Sequence, residues 1–317
     1  MGLHTRGNRR IQMGKESDWS SGFFAPYYRV YEYAKNNLKS LGHITLFRLI
    51  VIAIIFIAYI FLYMLYYMVQ MFVGIAFYLL LIIGIFIFAL SPLVGSILLV
   101  IFIILILVII IVVLSLYIGA IAVFGSFSWG SEIFTARKIM DMRMGEDIRI
   151  RNILDEVKKE WKYYMSQGLK LFLLWLVISI LLSLVMILIA LLIIGAIAGI
   201  LLYIGEPELI GLSIFFIYMF AIIFYFVILI FSLIISPIIQ YVSDWTTIHM
   251  AEGEGVIRSF GHALSYLFRK RRLAFKYWLG YLVITLASTF LYPITIVVSI
   301  LLPIASKLFL LINENED

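Results

Sequence analysis

Long stretches of Ile, Leu, Val and Phe alternate along this chain with shorter stretches in which charges recur at helical spacing. Uninterrupted apolar runs cover about 45–70, 72–90, 96–124, 169–203, 209–243 and 273–302. A helix needs about 20 apolar residues to cross a hydrocarbon core of about 30 Å, so most of these runs predict membrane helices. Breaks fall at Ser91-Pro92, Gly205-Glu206-Pro207 and Tyr292-Pro293, where proline removes a backbone donor and a helix must end or kink.

Between the third and fourth runs lies GEDIRIRNILDEVKKEWKYYMSQG, residues 145–168. On helical spacing Ile150, Ile153, Leu154, Val157, Trp161, Tyr164 and Met165 form one stripe, with Arg149, Arg151, Asp155, Glu156, Lys158, Lys159 and Lys162 largely outside it. The spacing predicts an amphipathic helix. Residues 256–270 repeat the pattern, with Ile257, Phe260, Leu264 and Leu267 against Arg258, His262, Arg269 and Lys270, as do residues 27–41, with Tyr27, Tyr31, Ala34, Leu38 and Leu41 inward. Each segment runs directly into a span. The second and third copies also follow a Trp (Trp129, Trp245) and a Gly-acid step (Gly145-Glu146, Gly253-Glu254). These junctions suggest an internal duplication with units at 27–130, 131–245 and 246–310, framed by a polar tail at 1–26 and an acidic tail at 311–317.

Charge bears on which way round the chain sits. Lys and Arg are dense before the first span, between the third and fourth runs, and at Arg258, Arg269, Lys270, Arg271 and Arg272; Glu206, Glu208 and the tail NENED are the acid-dominated pieces. By the positive-inside rule the three basic stretches are cytoplasmic, together with the N-terminus. Three separate crossings between residues 45 and 124 would put 131–168 outside. One run must therefore fail to cross, and 72–90, with Gly74 and Gly84 and bounded by Gln70 and Ser91-Pro92, is the candidate: either re-entrant or the extension of one long bent helix. The count becomes five to six spans. Residues 277–313 read as one tilted helix or a hairpin turning at Pro293. Trp19, Trp129, Trp161, Trp245 and Trp278 fall near span ends, as an aromatic belt requires, with Trp175 further in.

Composition agrees with this class: 64% hydrophobic and 13% charged residues, with a mean hydropathy of +1.12, describe an all-α polytopic membrane bundle and leave no length for a separate soluble catalytic domain. Residues 1–44 lack the apolar segment of a cleavable signal, and Arg6 stands where a myristoylation motif needs Ser or Thr. Zero cysteines exclude disulfides and thiol chemistry.

Candidate chemistry is sparse. The centres of the runs carry almost no ionisable residues, so no proton relay is visible, and Arg48 reads as an anchor that snorkels to the interface. His249, Glu252 and Glu254, with Asp244 and His262 close in sequence, offer metal-binding atoms, but spacings of three and five straddle different helix faces and no orienting partner is identifiable; no metal or cofactor is assigned. Neither GxSxG, Walker, HExxH nor glycine-rich nucleotide motifs occur. Basic stretches that hug span ends follow from topology and imply no nucleic acid.

The junctions MGEDIRIRNIL and GEGVIRSFGHAL, the latter most closely from Gly255 to Ala263-Leu264, resemble those of poorly characterised multi-span families related to the membrane domain found beside some glycerophosphodiester phosphodiesterases. The resemblance covers about residues 25–310 and implies an all-helical bundle with amphipathic helices before spans; the phosphodiesterase barrel has no room here, and no catalytic residue carries over. The expected function is non-enzymatic: a scaffold or lipid-interacting bundle whose cytoplasmic collar meets anionic headgroups or a protein partner through Arg149, Arg151, Lys158, Lys159, Lys162, Arg258, Arg269, Lys270, Arg271 and Arg272. The same helices serve equally as braces on the bundle's face. The alternative is a permease driven by a separate ATPase, docked through 131–168 with Glu146, Asp147 and Glu160 facing it; a membrane-embedded lipid enzyme is least supported.

Overall fold

The computed structural model describes residues 22–204, 209–290 and 292–315, and 93% of these described residues are helical, with no strand among them. The helices are α1 (Ala25–Asn36), α2 (Leu38–Leu90), α3 (Pro92–Arg143), α4 (Ile150–Ile204), α5 (Leu209–Ala251), α6 (Val256–Arg269), α7 (Arg271–Phe290) and α8 (Tyr292–Ile312). Four stretches are long and apolar enough to cross a membrane, Leu38–Ala89, Ile103–Arg143, Ile150–Leu192 and Ile222–Ala251, and Val297–Ile312 is a shorter apolar helix. The chain is an all-α bundle of membrane-type helices.

The runs 45–70 and 72–90 are one helix. No break occurs at Gln70, whose amide donates to Tyr66 Oη at 2.6 Å one turn back, so the polar side chain is satisfied without interrupting the helix. At about 1.5 Å per residue the 53 residues of α2 extend about 80 Å, more than twice a hydrocarbon core. Ser91 ends α2 in an extended conformation and Pro92 opens α3, where its missing N–H is no loss. A Cβ on Gly95 would lie 2.8 Å from Phe88 Cα, so only glycine lets the chain double back this tightly.

This up-and-down pair returns α3 to the end where α2 began. Phe47 of α2 meets Phe134 of α3 with ring centroids 5.2 Å apart. The C-terminus of α8 arrives at the same end, where Asn313 Nδ2 donates to the Pro26 carbonyl and Arg143 pairs with Glu314. The reading of 277–313 as a hairpin is therefore the one adopted: α7 and α8 are separate helices packed together. The described parts of the three basic stretches consequently share one end, with no re-entrant segment among the described residues.

That end is the packed base. Its core includes Ile44, Ile133, Phe134, Ile139, Leu171, Tyr241, Trp245, Ile248, Leu273, Leu308 and Leu310. Helices α3 and α4 cross at glycines: a Cβ on Gly168 would clash with Ser126 O and Gly130 N, and one on Gly130 would lie 2.6 Å from Tyr164 O. Small residues at a crossing let backbones approach closely, and close packing rather than hydrophobic expulsion holds apolar helices together in lipid.

The two Gly-acid steps are the same structure. Gly145 N donates to Met142 O and Glu146 N to Asp141 O; Gly253 N donates to Met250 O and Glu254 N to His249 O. Both glycines have positive φ, +88° and +98°. Each pair of bonds is a Schellman cap, satisfying the last carbonyls of α3 and α5 and requiring the left-handed backbone that glycine adopts without a Cβ penalty.

Packing corrects part of the sequence reading. Trp245 is only 1% exposed and belongs to the core; it is no belt residue. Trp129 stacks on Trp175 at 6.1 Å, and Trp19 lies outside the described residues. On α4, Ile153 and Tyr164 are buried as expected but Leu154 and Trp161 point outward. On α6 the packed face is Val256, Ser259 and Ala263, while Ile257, at 84% exposed, and Leu264 face away. Tyr31 of α1 and Leu38 at the start of α2 likewise lie exposed. Each amphipathic segment thus has two partly apolar faces, one spent on the bundle and one left open.

Candidate functional site

Beneath the collar five helices converge on an alternating chain of charges. Arg48 Nη1 of α2 lies 2.6 Å from Glu132 Oε1 of α3. Glu132 Oε2 lies 2.7 Å from Lys307 Nζ of α8, which lies 3.0 Å from Asp244 Oδ1 of α5. Lys307 and Asp244 are 1% and 0% exposed. Tyr277 of α7 donates to Asp244 Oδ2 at 2.7 Å, and Gln240 donates to Asp244 Oδ1 at 3.1 Å. Two cations face two anions, with the further carboxylate lone pairs taken by a phenol and an amide. Buried charges are costly unless paired and hydrogen-bonded; Glu132, Lys307 and Asp244 are both, while Arg48 is held by its ion pair to Glu132 alone, its Nε and Nη1 having no hydrogen-bond partner. The arrangement is a clamp that fixes α2, α3, α5, α7 and α8 in register. Arg48 is thus no snorkelling anchor: it turns into the base and pairs there.

This cluster was missed from the sequence. Lys307 stands inside the apolar run of α8, and its carboxylates lie 63 and 175 residues away. The available signal was the lone lysine itself, since an ionisable residue persists in an apolar helix only with a partner.

A second ring of ion pairs closes the 131–168 segment. Lys138 Nζ meets Asp141 Oδ2 at 2.7 Å and Glu156 Oε2 at 2.5 Å. Arg137 Nη1 reaches Glu160 Oε2 at 3.1 Å and Tyr164 Oη at 2.8 Å. Near these pairs Arg137, Asp141, Glu160 and Glu252, with Met140 and Met144, line a cleft of mixed polarity of about 560 Å³.

The collar cations are mostly on the outside. Arg151, Lys158, Lys159, Lys162, Arg258, Arg269 and Arg272 are exposed. Arg149 pairs with Asp147 at 2.9 Å, which holds the Asp147 carboxyl below its ordinary range. Arg271 Nε donates to Phe268 O at 3.1 Å. Lys270 is used by the fold: its ammonium donates to the Glu314 carbonyl and lies 4.6 Å from the Tyr266 ring centroid. Arg258 is joined by a cation the sequence reading left out, Lys170 of α4. Together they flank an apolar groove of about 680 Å³ between α4 and α6, lined by Leu173, Leu174, Val177, Val256 and Ile257. Lys170 closes the amphipathic part of α4 where the span begins, which is the signal that marks it.

At the α5–α6 elbow one metal-binding atom from each of His249, Glu254 and His262 falls within 4.8 Å of the others. The spacing argument against these residues counted helix faces, but Gly253 and Gly255 also favour a loop here, and the chain does turn at Gly253, so that the end of α5 faces α6.

Comparison with models of protein families, with curated protein sequences and with solved structures finds no match to this chain, so the reading of its function rests on its own residues.

Proposed function

We propose that this chain is a multi-pass membrane protein whose basic end lies on the cytoplasmic side, and that its collar of amphipathic helices takes anionic lipid without carrying out chemistry. The observation that carries this reading is the α4–α6 groove. Its wall is apolar, it continues onto the uncovered apolar surface of α4, and Lys170 and Arg258 stand at its rim. An amphiphile with an acyl chain and a negative headgroup matches both features at once. Exposed Leu154 and Trp161 among Arg151, Lys158 and Lys162, and exposed Ile257 and Leu264 on α6, give the same pairing of apolar and cationic side chains at headgroup depth. A brace would direct these apolar residues into the bundle.

The orientation follows from placing all three basic stretches on the side where positive charge accumulates. The matched Schellman caps at Gly145 and Gly253, each followed by an amphipathic helix and an apolar hairpin arm, favour descent from a duplicated unit. The permease reading is less well supported, because two of its three docking acids are engaged internally: Glu160 with Arg137 and Asp147 with Arg149.

Protein extracted in mild detergent from vesicles of mixed phosphatidylglycerol and phosphatidylcholine tests the lipid reading. Native mass spectrometry is expected to find phosphatidylglycerol retained preferentially, and Lys170→Glu with Arg258→Glu to abolish that preference. Equal retention of both lipids by the wild type, or an unchanged preference in the double variant, would sink it.

A further inference from the structure

We propose that the α5–α6 elbow is a binding site for a divalent transition-metal ion of the zinc class, held by His249, Glu254 and His262. His249 is the informative member. It is more than nine-tenths buried, its Nδ1 lies 3.0 Å from Glu252 Oε2, and its Nε2 is buried with no hydrogen-bond partner. A carboxylate beside Nδ1 selects the tautomer that donates from that nitrogen, leaving the Nε2 lone pair free. This is the way metal-binding histidines are oriented in general. A buried lone pair without a donor is costly, and coordination removes the cost.

The other two donors already meet. His262 Nδ1 lies 3.1 Å from Glu254 Oε2, and the His249 and His262 ring centroids are 5.5 Å apart. Two imidazoles and a carboxylate form a donor set that zinc accepts at about 2.0–2.2 Å while keeping a fourth position open. Donors on one zinc lie about 3.3 Å apart by that geometry, so the present spread closes by rotation of Glu254 and His262, both only half-buried. Glu254 sits between Gly253 and Gly255, in a turn whose left-handed glycine is set by the α5 cap. Trp245 and Tyr266 pack against His249 at 5.6 and 5.4 Å between centroids and hold its ring in place. The neighbouring cation, Lys270, is taken up by the Glu314 carbonyl and the Tyr266 face. In the matching turn after α3, counting from the cap glycine, Asp141 and Glu146 occupy the places of His249 and Glu254, and Asp141 is neutralised by Lys138. The donor set belongs to this elbow alone of the two. A bound ion would cross-link the end of α5 to α6.

The full chain, purified without a histidine tag and treated with chelator, is titrated with Co²⁺ and followed by visible absorption, then with Zn²⁺ in competition. One equivalent of Co²⁺ with the intense bands of a low-coordinate site, displaced by Zn²⁺, is expected. His262→Gln, at a half-exposed position that the fold tolerates, should weaken binding at least tenfold and dim the bands. Glu252→Gln should keep the stoichiometry and weaken affinity about 10–100-fold, the size of such orienting effects. Absence of these bands in the wild type, or binding unaltered in both His249→Gln and His262→Gln, would overturn the assignment.

Discussion

Helix α3 passes through two environments that could hardly differ more. From Ser126 to Met142 it buries Ile133, Phe134, Thr135, Ala136, Lys138 and Ile139 and sends Glu132 into the charge chain. From Ile103 to Leu116 its Ile, Leu and Val side chains are almost all exposed. The first region is polar in places and uniquely packed; the second is bare, and apolar but for Ser115, which bonds back to Ile111 O. In lipid the acyl chains are as apolar as leucine, so burying one apolar helix against another has little driving force. Paired charges, glycine crossings and caps supply the specificity instead. The base decides the structure, and the arms need only a solvent that matches them.

The comparison breaks most sharply at Lys307. Lys307→Met leaves Glu132 and Asp244 facing each other without a cation between them, and removing one partner of a buried pair costs about 3–5 kcal/mol. Thermal unfolding in a fixed detergent is expected to show the largest loss of any single change here, and adding Asp244→Leu to recover part of it. If Lys307→Met unfolds like the wild type, the clamp does not hold the base together.

Glycines test the two regions with one chemical change. Gly168→Ala pushes a methyl group into Ser126 O and Gly130 N and should cost about 1–3 kcal/mol, as overpacking does. Gly74→Ala meets nothing within 4 Å and should leave stability within about 1 kcal/mol of wild type. Equal effects at both sites in the same melting experiment would remove the distinction. Gly145→Ala and Gly253→Ala probe the two caps; each forces a Cβ into a left-handed backbone at about 1–2 kcal/mol, and backbone hydrogen exchange should rise at the ends of α3 and α5 respectively. The smallest effect belongs to the arms. Leu181→Ala removes an outward side chain, and a shift beyond about 0.5 kcal/mol in the melting transition would show that the arm packs on something.

The helices, the break at Ser91-Pro92 and the amphipathic segments were legible because each is a local pattern of period 3.6 or a local loss of a donor; the expected break at Gly205-Glu206-Pro207 lies outside the described residues. The sharing of one end by the basic stretches followed from charge counting, before any contact was known. Gln70 misled as a boundary, since Tyr66 one turn away satisfies it. The outward faces of Leu154, Trp161, Ile257 and Leu264 were not legible, because periodicity marks a stripe without saying whether bundle or bilayer covers it. Trp245 was placed at the interface by its position along the chain and is instead enclosed by Tyr241, His249 and Tyr266.

The sequence by itself determined that this is an all-helical chain with apolar helices of membrane type, that the chain turns at Ser91-Pro92, and that positive charge gathers at one end. Those are consequences of hydropathy, proline and charge summed over neighbouring residues. Only the tertiary structure decided that Arg48, Glu132, Asp244 and Lys307 form one chain, that Lys170 joins Arg258 at a groove, and that His249 meets His262 across a turn. Each of these joins side chains carried by different helices, and the register between helices is set by packing at the base rather than by any local pattern.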